Sequence, residues 1–153
     1  MEKLSLQENQ KIAVGILDAV SKVCDEQGYR YYLVFGTLIG AVRHKGFIPW
    51  DDDIDIMMPR SDYERLLELV PSLRHSYYKI LSNPKHEDYY YTHAKMIDTR
   101  TLCVENDLQT IQNMGIWVDI FPLDGMPDKF KIHYFKMRVL HRMRALSAHP
   151  KMP

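Results

Sequence analysis

The sequence predicts a mixed α/β (α+β) fold, a mixed β-sheet flanked by helices. Three observations carry this. The first segment has an apolar face at helical spacing between clear start and stop signals. The stretch "DIDIMMP" alternates polar and apolar residues, as a half-buried strand does. Beyond Pro71 the chain turns to β-type patterning without a strict βαβα order, so the strands need not all run the same way.

Taken in order, Ser5-Leu-Gln-Glu8 reads as a capping box that opens a helix running to about Gln27. Ile12, Ile16, Val20 and Val23 share one face of it, and Gly28 is a natural stop. "YRYYLVFGT" reads as a buried strand ending at Gly36-Thr37. "LIGAVRHKG" is a short helix closed by Gly46, and "DIDIMMP" is the next strand. Ser61-Asp-Tyr-Glu64 reads as a second capping box, with Leu66, Leu67 and Val70 on the apolar side of its helix. "YYKILS", "YYYTHAKMID" and "TLCVE" are strand candidates, with a turn at Asp98-Thr-Arg. Residues 106–114 read as a loop or short helix. "GIWVDIFPLDG" is a further strand ended by Pro122 and Gly125. Residues 128–149 look helical, with Ile132, Phe135, Val139, Met143 and Leu146 on one side.

The 153 residues suit one domain, 1–153, large enough to bury a core. Lys+Arg and Asp+Glu balance at 20 each, so bulk charge gives no reason to expect a nucleic-acid partner. The two cysteines, Cys24 and Cys103, lie far apart in apolar surroundings and read as buried reduced thiols, with no zinc spacing. The N-terminus lacks the apolar core of a signal peptide, and the longest apolar run, 31–42, is too short to span a bilayer. The expected location is cytoplasmic.

The charge is concentrated. Asp51, Asp52, Asp53 and Asp55 crowd together before an apolar strand. Residues two apart in a strand point the same way, so Asp53 and Asp55 share one face while Ile54 and Ile56 bury on the other. Without a counter-ion, such a pair raises one carboxyl's pKa; an all-oxygen set suits Mg²⁺ or Mn²⁺. Two simpler readings compete. Asp51 and Asp52 suit a solvated acidic turn. D-x-D-x-D also occurs in calcium loops, but these want glycine sixth, where this chain has Ile56. Upstream, Gly36-Thr37 forms a strand-to-helix corner of the kind that binds phosphate through free backbone N–H groups. Arg43, His44 and Lys45 could neutralise further phosphate charge. The histidines otherwise show no metal-ligand spacing and read as surface or satisfied core residues.

At these residues "FGTLIGAVRHKGFIPWDDDIDIMMPRSDYERL" closely resembles the signature of the LicD family, phosphotransferases of the nucleotidyltransferase-fold superfamily. "GIWVDIFPLDGMP" resembles the family's later block. The resemblance implies a nucleotidyltransferase-like sheet. Gly36-Thr37 would be its phosphate corner, Asp53 and Asp55 its carboxylate pair, and Asp119 the third carboxylate. It implies a metal-dependent (Mg²⁺ or Mn²⁺) transfer of a phospho-alcohol group to a hydroxyl of a cell-surface or lipid-linked glycan. Phosphocholine from CDP-choline is the first candidate. Asp119 would be general base or hydroxyl-side metal ligand. Gly36, Thr37, Arg43, His44 and Lys45 would contact the donor, as would Lys95, against the simpler reading as a solvated strand lysine. Trp50 and the tyrosines (Tyr77, Tyr78, Tyr89, Tyr90, Tyr91) offer aromatic faces for a quaternary ammonium, against the simpler reading as strand and core aromatics. Family members are usually longer after the later block, so the resemblance also implies a chain short at its C-terminus. Two alternatives stay open: transfer of the nucleoside monophosphate itself, or a catalytically incomplete nucleotide-binding member. The basic helix 128–149 could lie on the inner face of a membrane; packing on the sheet with a solvated basic face is the simpler reading.

Overall fold

The computed structural model describes residues 4–69, 77–83, 89, 91–103, 114–125, 134–140 and 142–143. They form α1 (Leu6–Gln27), β1 (Tyr32–Leu33), α2 (Phe35–Arg43), β2 (Asp55–Pro59), α3 (Arg60–Leu69), β3 (Tyr78–Leu81), β4 (Ala94–Asp98) and β5 (Trp117–Leu123). The chain divides into two compact units, 1–123 and 124–153. In the second, residues 134–140 and 142–143 are helical and exposed, and the rest of the helix expected over 128–149 lies outside the described residues.

The strands make one mixed sheet in the order β1-β2-β5-β4-β3. Only β2 and β5 are parallel; the other neighbours are antiparallel. One face of the sheet carries the main core. Ile54, Ile56, Met58, Ala94, Met96, Val118 and Ile120 meet Ala13, Ile16, Val20 and Val23 of α1 and Tyr63 and Leu66 of α3. The alternation expected of "DIDIMMP" holds, since Ile54, Ile56 and Met58 are buried and Asp53, Asp55 and Met57 are not. The opposite face carries a smaller cluster, Tyr89, Ile97 and Met114 with Leu81, Tyr91 and Trp117 against it.

The first capping box forms as expected: Ser5 caps α1, Glu8 answers it, and Gly28 ends the helix at φ 68°. Several boundaries differ from the sequence reading. The strand in "YRYYLVFGT" is only Tyr32–Leu33, and α2 already begins at Phe35, so Gly36 and Thr37 are helical. The second capping box does not form, because α3 starts at Arg60 and the Ser61 hydroxyl turns to Asp62. Residues 101–103 are not a strand; the rest of "TLCVE" and most of 106–114 lie outside the described residues, as does Tyr90. Residues 91–93 precede β4 without joining it.

Pro122 does not end β5 but lies inside it, opposite Met58. The Asp119 N–H donates toward the β2 side, to Ile54 O just before that strand. Strand N–H groups alternate in direction, so position 122 points to the β4 side. The β4 ladder begins at Ala94, opposite Ile120, so no partner there needs the missing N–H.

Candidate active site

β2 and β5 bring Asp55 directly opposite Asp119 in parallel register, and β4 places Lys95 opposite Asp119 on its other side. Asp53 precedes β2 by two residues on the same face. Carboxylate oxygens of Asp53, Asp55 and Asp119 all lie within 4.8 Å of one another, and oxygens of Asp51, Asp52 and Asp53 form a second such group. The expected convergence of Asp119 with the aspartate pair is therefore present.

The acidic turn is held from two sides. From α1, Asn9 Nδ2 donates to Asp52 O at 2.9 Å and Gln10 Nε2 to Asp51 O at 2.8 Å. From α2, the Thr37 hydroxyl oxygen accepts the Asp55 N–H at 2.8 Å. Gly36 stands so close to the turn that a Cβ there would meet Asp51 Oδ2 at 2.7 Å. Thus the Gly36-Thr37 corner does lie beside the carboxylates, and its first visible task is to seat them.

Asp119 sits in a different environment from its neighbours. His93 Nε2 lies 2.8 Å and Lys95 Nζ 2.7 Å from its Oδ1, and Trp117 Nε1 donates to Oδ2 at 2.8 Å. An ionised carboxylate only accepts, so His93 presents Nε2–H. The buried Lys95 ammonium is itself flanked by the rings of Trp117 at 4.1 Å and Tyr91 at 4.7 Å. The His93 ring stacks on Phe121 at 4.3 Å, and Phe121 meets Phe35 edge-on at 5.5 Å.

The two sides of the row therefore titrate oppositely. Burial pushes the Asp55 carboxyl up to about 6, helped by the charges of Asp53, Asp119 and Asp51. Burial and the charges of Asp51, Asp52 and Asp119 likewise raise Asp53. For Asp119 burial acts in the same direction, but the His93 and Lys95 contacts outweigh it and hold the carboxyl below its usual value. Carboxylates that repel at this spacing, with hard oxygen donors only, fit a divalent cation of the Mg²⁺ or Mn²⁺ type.

The remaining candidates fall elsewhere. Arg43, His44 and Lys45 are exposed at the far end of α2. Arg43 is about 10 Å from Gly36 along the helix at ~1.5 Å per residue, and among the described residues none of the three touches the carboxylates. Lys45, at φ 59°, lines a cavity of ≈ 370 Å³ with Val14, Leu17, Phe47 and Ile54. Trp50 is 78% exposed. Tyr77 stacks under Arg100 at 3.9 Å, and Tyr89 pairs with Tyr91 at 5.4 Å; of these tyrosines Tyr91 does border the site, through Lys95 and the His93 ring at 5.4 Å. The sequence reading makes the histidines other than His44 bystanders, yet His93 is part of the site, as is Trp117. Both carry a signal of period two: His93 with Lys95 and Trp117 with Asp119 share a face. No helix among the described residues is long and apolar enough to cross a membrane.

Comparison with known proteins finds a matching family and several similar sequences. The family described as "LicD/FKTN/FKRP, nucleotidyltransferase domain" matches residues 28–147. The chain is 37% identical over 145 residues to the lipopolysaccharide cholinephosphotransferase LicD of Haemophilus influenzae, covering 94% of this chain and 54% of that protein. It is 42% identical over 52 residues to the human and mouse ribitol 5-phosphate transferase FKRP, covering 34% of this chain and 9% of those proteins. The chain thus spans about half the length of the first of these relatives and far less of the others.

Proposed function

The chain belongs to the LicD family, and on that premise we propose that it carries the site for transferring a phospho-alcohol group, phosphocholine from CDP-choline, to a hydroxyl of a cell-surface glycan. The observation that carries the reading is the convergence of Asp53, Asp55 and Asp119 oxygens within 4.8 Å. The family resemblance and the name of the Haemophilus influenzae relative support the class of donor and acceptor.

In this reading Asp53, Asp55 and Asp119 hold Mg²⁺ or Mn²⁺. When bound, the cation offsets diphosphate charge, favours departure of CMP and makes the attacking hydroxyl more acidic. The glycan oxygen forms a bond to the phosphorus of the phosphocholine group as the bond to the CMP oxygen breaks, and the hydroxyl proton leaves to a base or to water. The protein's own share is positioning and electrostatics, as phosphoryl transfer requires. Thr37 and Gly36 fix the Asp51–Asp55 turn against the N-terminus of α2, whose free N–H groups suit a phosphate oxygen. Asp119, kept ionised by His93 and Lys95, is a weak proton acceptor, so we assign it to holding the cation and not to general base catalysis.

The diphosphate contacts are common to any CDP-alcohol, so choice of donor must come from beyond the transferred phosphate. Aromatic faces suit a trimethylammonium group, each worth ~0.5–2 kcal/mol, and Trp50 is the aromatic nearest in sequence to the pair. Loss of Trp50 should then weaken CDP-choline binding more than CMP binding.

The test is incubation of the chain with Mg²⁺, a glycan acceptor and CDP-choline labelled separately in its choline and cytidine halves. Appearance of the choline label on the acceptor, with release of CMP, supports the reading. Cytidine label on the acceptor would make the protein a nucleotidyltransferase. CDP-ribitol in parallel addresses the chemistry named for the FKRP relatives. Transfer of neither label, with CDP-choline still bound, would leave a nucleotide-binding member.

A further inference from the structure

We propose that Lys95 is the site's built-in second positive charge, so that the carboxylate cluster takes one divalent cation and not the pair used in many phosphoryl-transfer sites. The inference rests on the metal reading above and adds how many ions the site holds and which residue sets that number.

Asp119 has little acceptor capacity to spare. An ionised carboxylate offers about four lone-pair sites. His93, Lys95 and Trp117 each occupy one. About one remains, enough to ligate one cation and too few to bridge two. Two-metal sites set their ions about 3.5–4 Å apart and rely on shared ligands to do so. Here the carboxylate opposite Asp55 in the sheet already shares itself with protein donors.

Charge acts in the same direction. Lys95 already offsets one of the negative charges that Asp53, Asp55 and Asp119 carry when ionised, and its ammonium, bonded to Asp119, repels a second cation placed beside that carboxylate.

Lys95 is also fixed in place. Its residue is 3% exposed, its Nζ is bonded to Asp119, and the Trp117 and Tyr91 rings flank the ammonium. Swinging out to a substrate phosphate would abandon an ion pair and two ring contacts. Lys95 therefore acts through Asp119, as a positioning residue, and not as the donor contact suggested by its strand pattern.

The experiment counts ions on the full chain without substrate, by titration with Mn²⁺ followed by electron paramagnetic resonance and with Mg²⁺ by calorimetry. The wild type should bind one Mn²⁺ per chain, with a spectrum free of coupling between ions. Lys95→Met keeps the apolar stem and removes the charge. It should bind a second Mn²⁺, or the first about tenfold or more tightly, because a like charge a few ångströms away has been removed. His93→Gln keeps a donor and should leave the count at one. Circular dichroism checks that each variant folds. Two ions in the wild type, or Lys95→Met indistinguishable from wild type in count and affinity, overturns the proposal. If Lys95→Met does not fold, the wild-type count and its spectrum still decide. A wild type that binds no ion overturns the metal reading together with this one, whereas two ions overturn this one alone.

Discussion

Asp55 and Asp119 are register partners across the parallel pair β2–β5, yet their carboxyls are driven in opposite directions, Asp55 up to about 6 and Asp119 below its usual value. The cause is the third strand. His93, just before β4, and Lys95 of β4, the next residue in the same row, lie against Asp119 and hold its carboxyl down, whereas Asp55 has the charges of Asp53, Asp119 and Asp51 around it. Only the mixed order of the sheet allows this, because it seats β5 between the acidic strand and the strand that carries the lysine.

The first prediction is a pH dependence of stability in cation-free protein. Asp55 has a folded pKa above its unfolded value. Its contribution is therefore fully present below about 3.9 and is lost as pH rises through about 6. Asp55→Asn cannot titrate and escapes the loss. In the presence of a chelator, the melting temperature of Asp55→Asn should exceed wild type by more at pH 7.5 than at pH 4.5; with Mg²⁺ supplied instead, the wild type should transfer and Asp55→Asn should not. A constant difference between the two proteins across that range would mean that burial and the neighbouring carboxylates do not raise the Asp55 pKa.

The two faces of the strand should respond in opposite ways. Ile54 is 2% exposed in the main core. Ile54→Asp places an unpaired charge there, at a cost of several kcal/mol out of the ~5–15 kcal/mol that holds a domain together. Circular dichroism of Ile54→Asp should show a chain unfolded or melting far below wild type, beside a well-folded Asp55→Asn. A folded Ile54→Asp would mean that the strand turns its other side to the core.

Thr37 tests whether the corner works by seating the acidic strand. Its hydroxyl takes the Asp55 N–H at 2.8 Å. Thr37→Val keeps the shape and strands that amide, a loss of about 1–3 kcal/mol. Thr37→Ser keeps the oxygen and should cost less. Denaturant titration of the three proteins should rank them wild type, Ser, Val. The cation affinity should follow the same rank, since the Asp55 backbone is what the bond fixes. Equal stability of Val and Ser variants would assign the hydroxyl to substrate alone.

Much of this was legible in the sequence for one reason: period. Strict alternation in "DIDIMMP" separated the Ile54, Ile56 and Met58 side from the Asp53 and Asp55 side, and the structure keeps that separation. Ser5, Glu8 and Gly28 marked α1 because capping chemistry is local. What stayed hidden depends on partners distant in sequence. Pro122 looked like a stop because its missing N–H matters only if a neighbour needs it, and β4 begins too late to need it. His93, Lys95 and Trp117 acquire their role only when β4 is laid beside β5, a pairing that no local pattern dictates. Arg43, His44 and Lys45 looked near the site because they precede it in sequence, but α2 carries them to its far end.

The last prediction follows from the hold that α1 has on the aspartate turn. Asn9 and Gln10 donate to the carbonyls of Asp52 and Asp51, so α1 holds the turn by its backbone and not by its carboxylates. Losing both donors should affect stability and binding unequally. Alanine is the best helix former, which offsets part of the ~0.5–1.5 kcal/mol lost with each hydrogen bond. The turn itself loses both anchors to α1, and the cluster of like charges is then free to spread, since Asp53 lies beside Asp51 and Asp52. Ordering it again must be taken from the cation's binding energy, as for any site that is not preorganised. The double variant Asn9→Ala/Gln10→Ala should therefore melt within a few degrees of wild type yet bind Mg²⁺ several-fold more weakly by calorimetry. If the variant binds Mg²⁺ as tightly as wild type, the α2 contacts at Gly36 and Thr37 hold the turn unaided, and α1 does not preorganise the site.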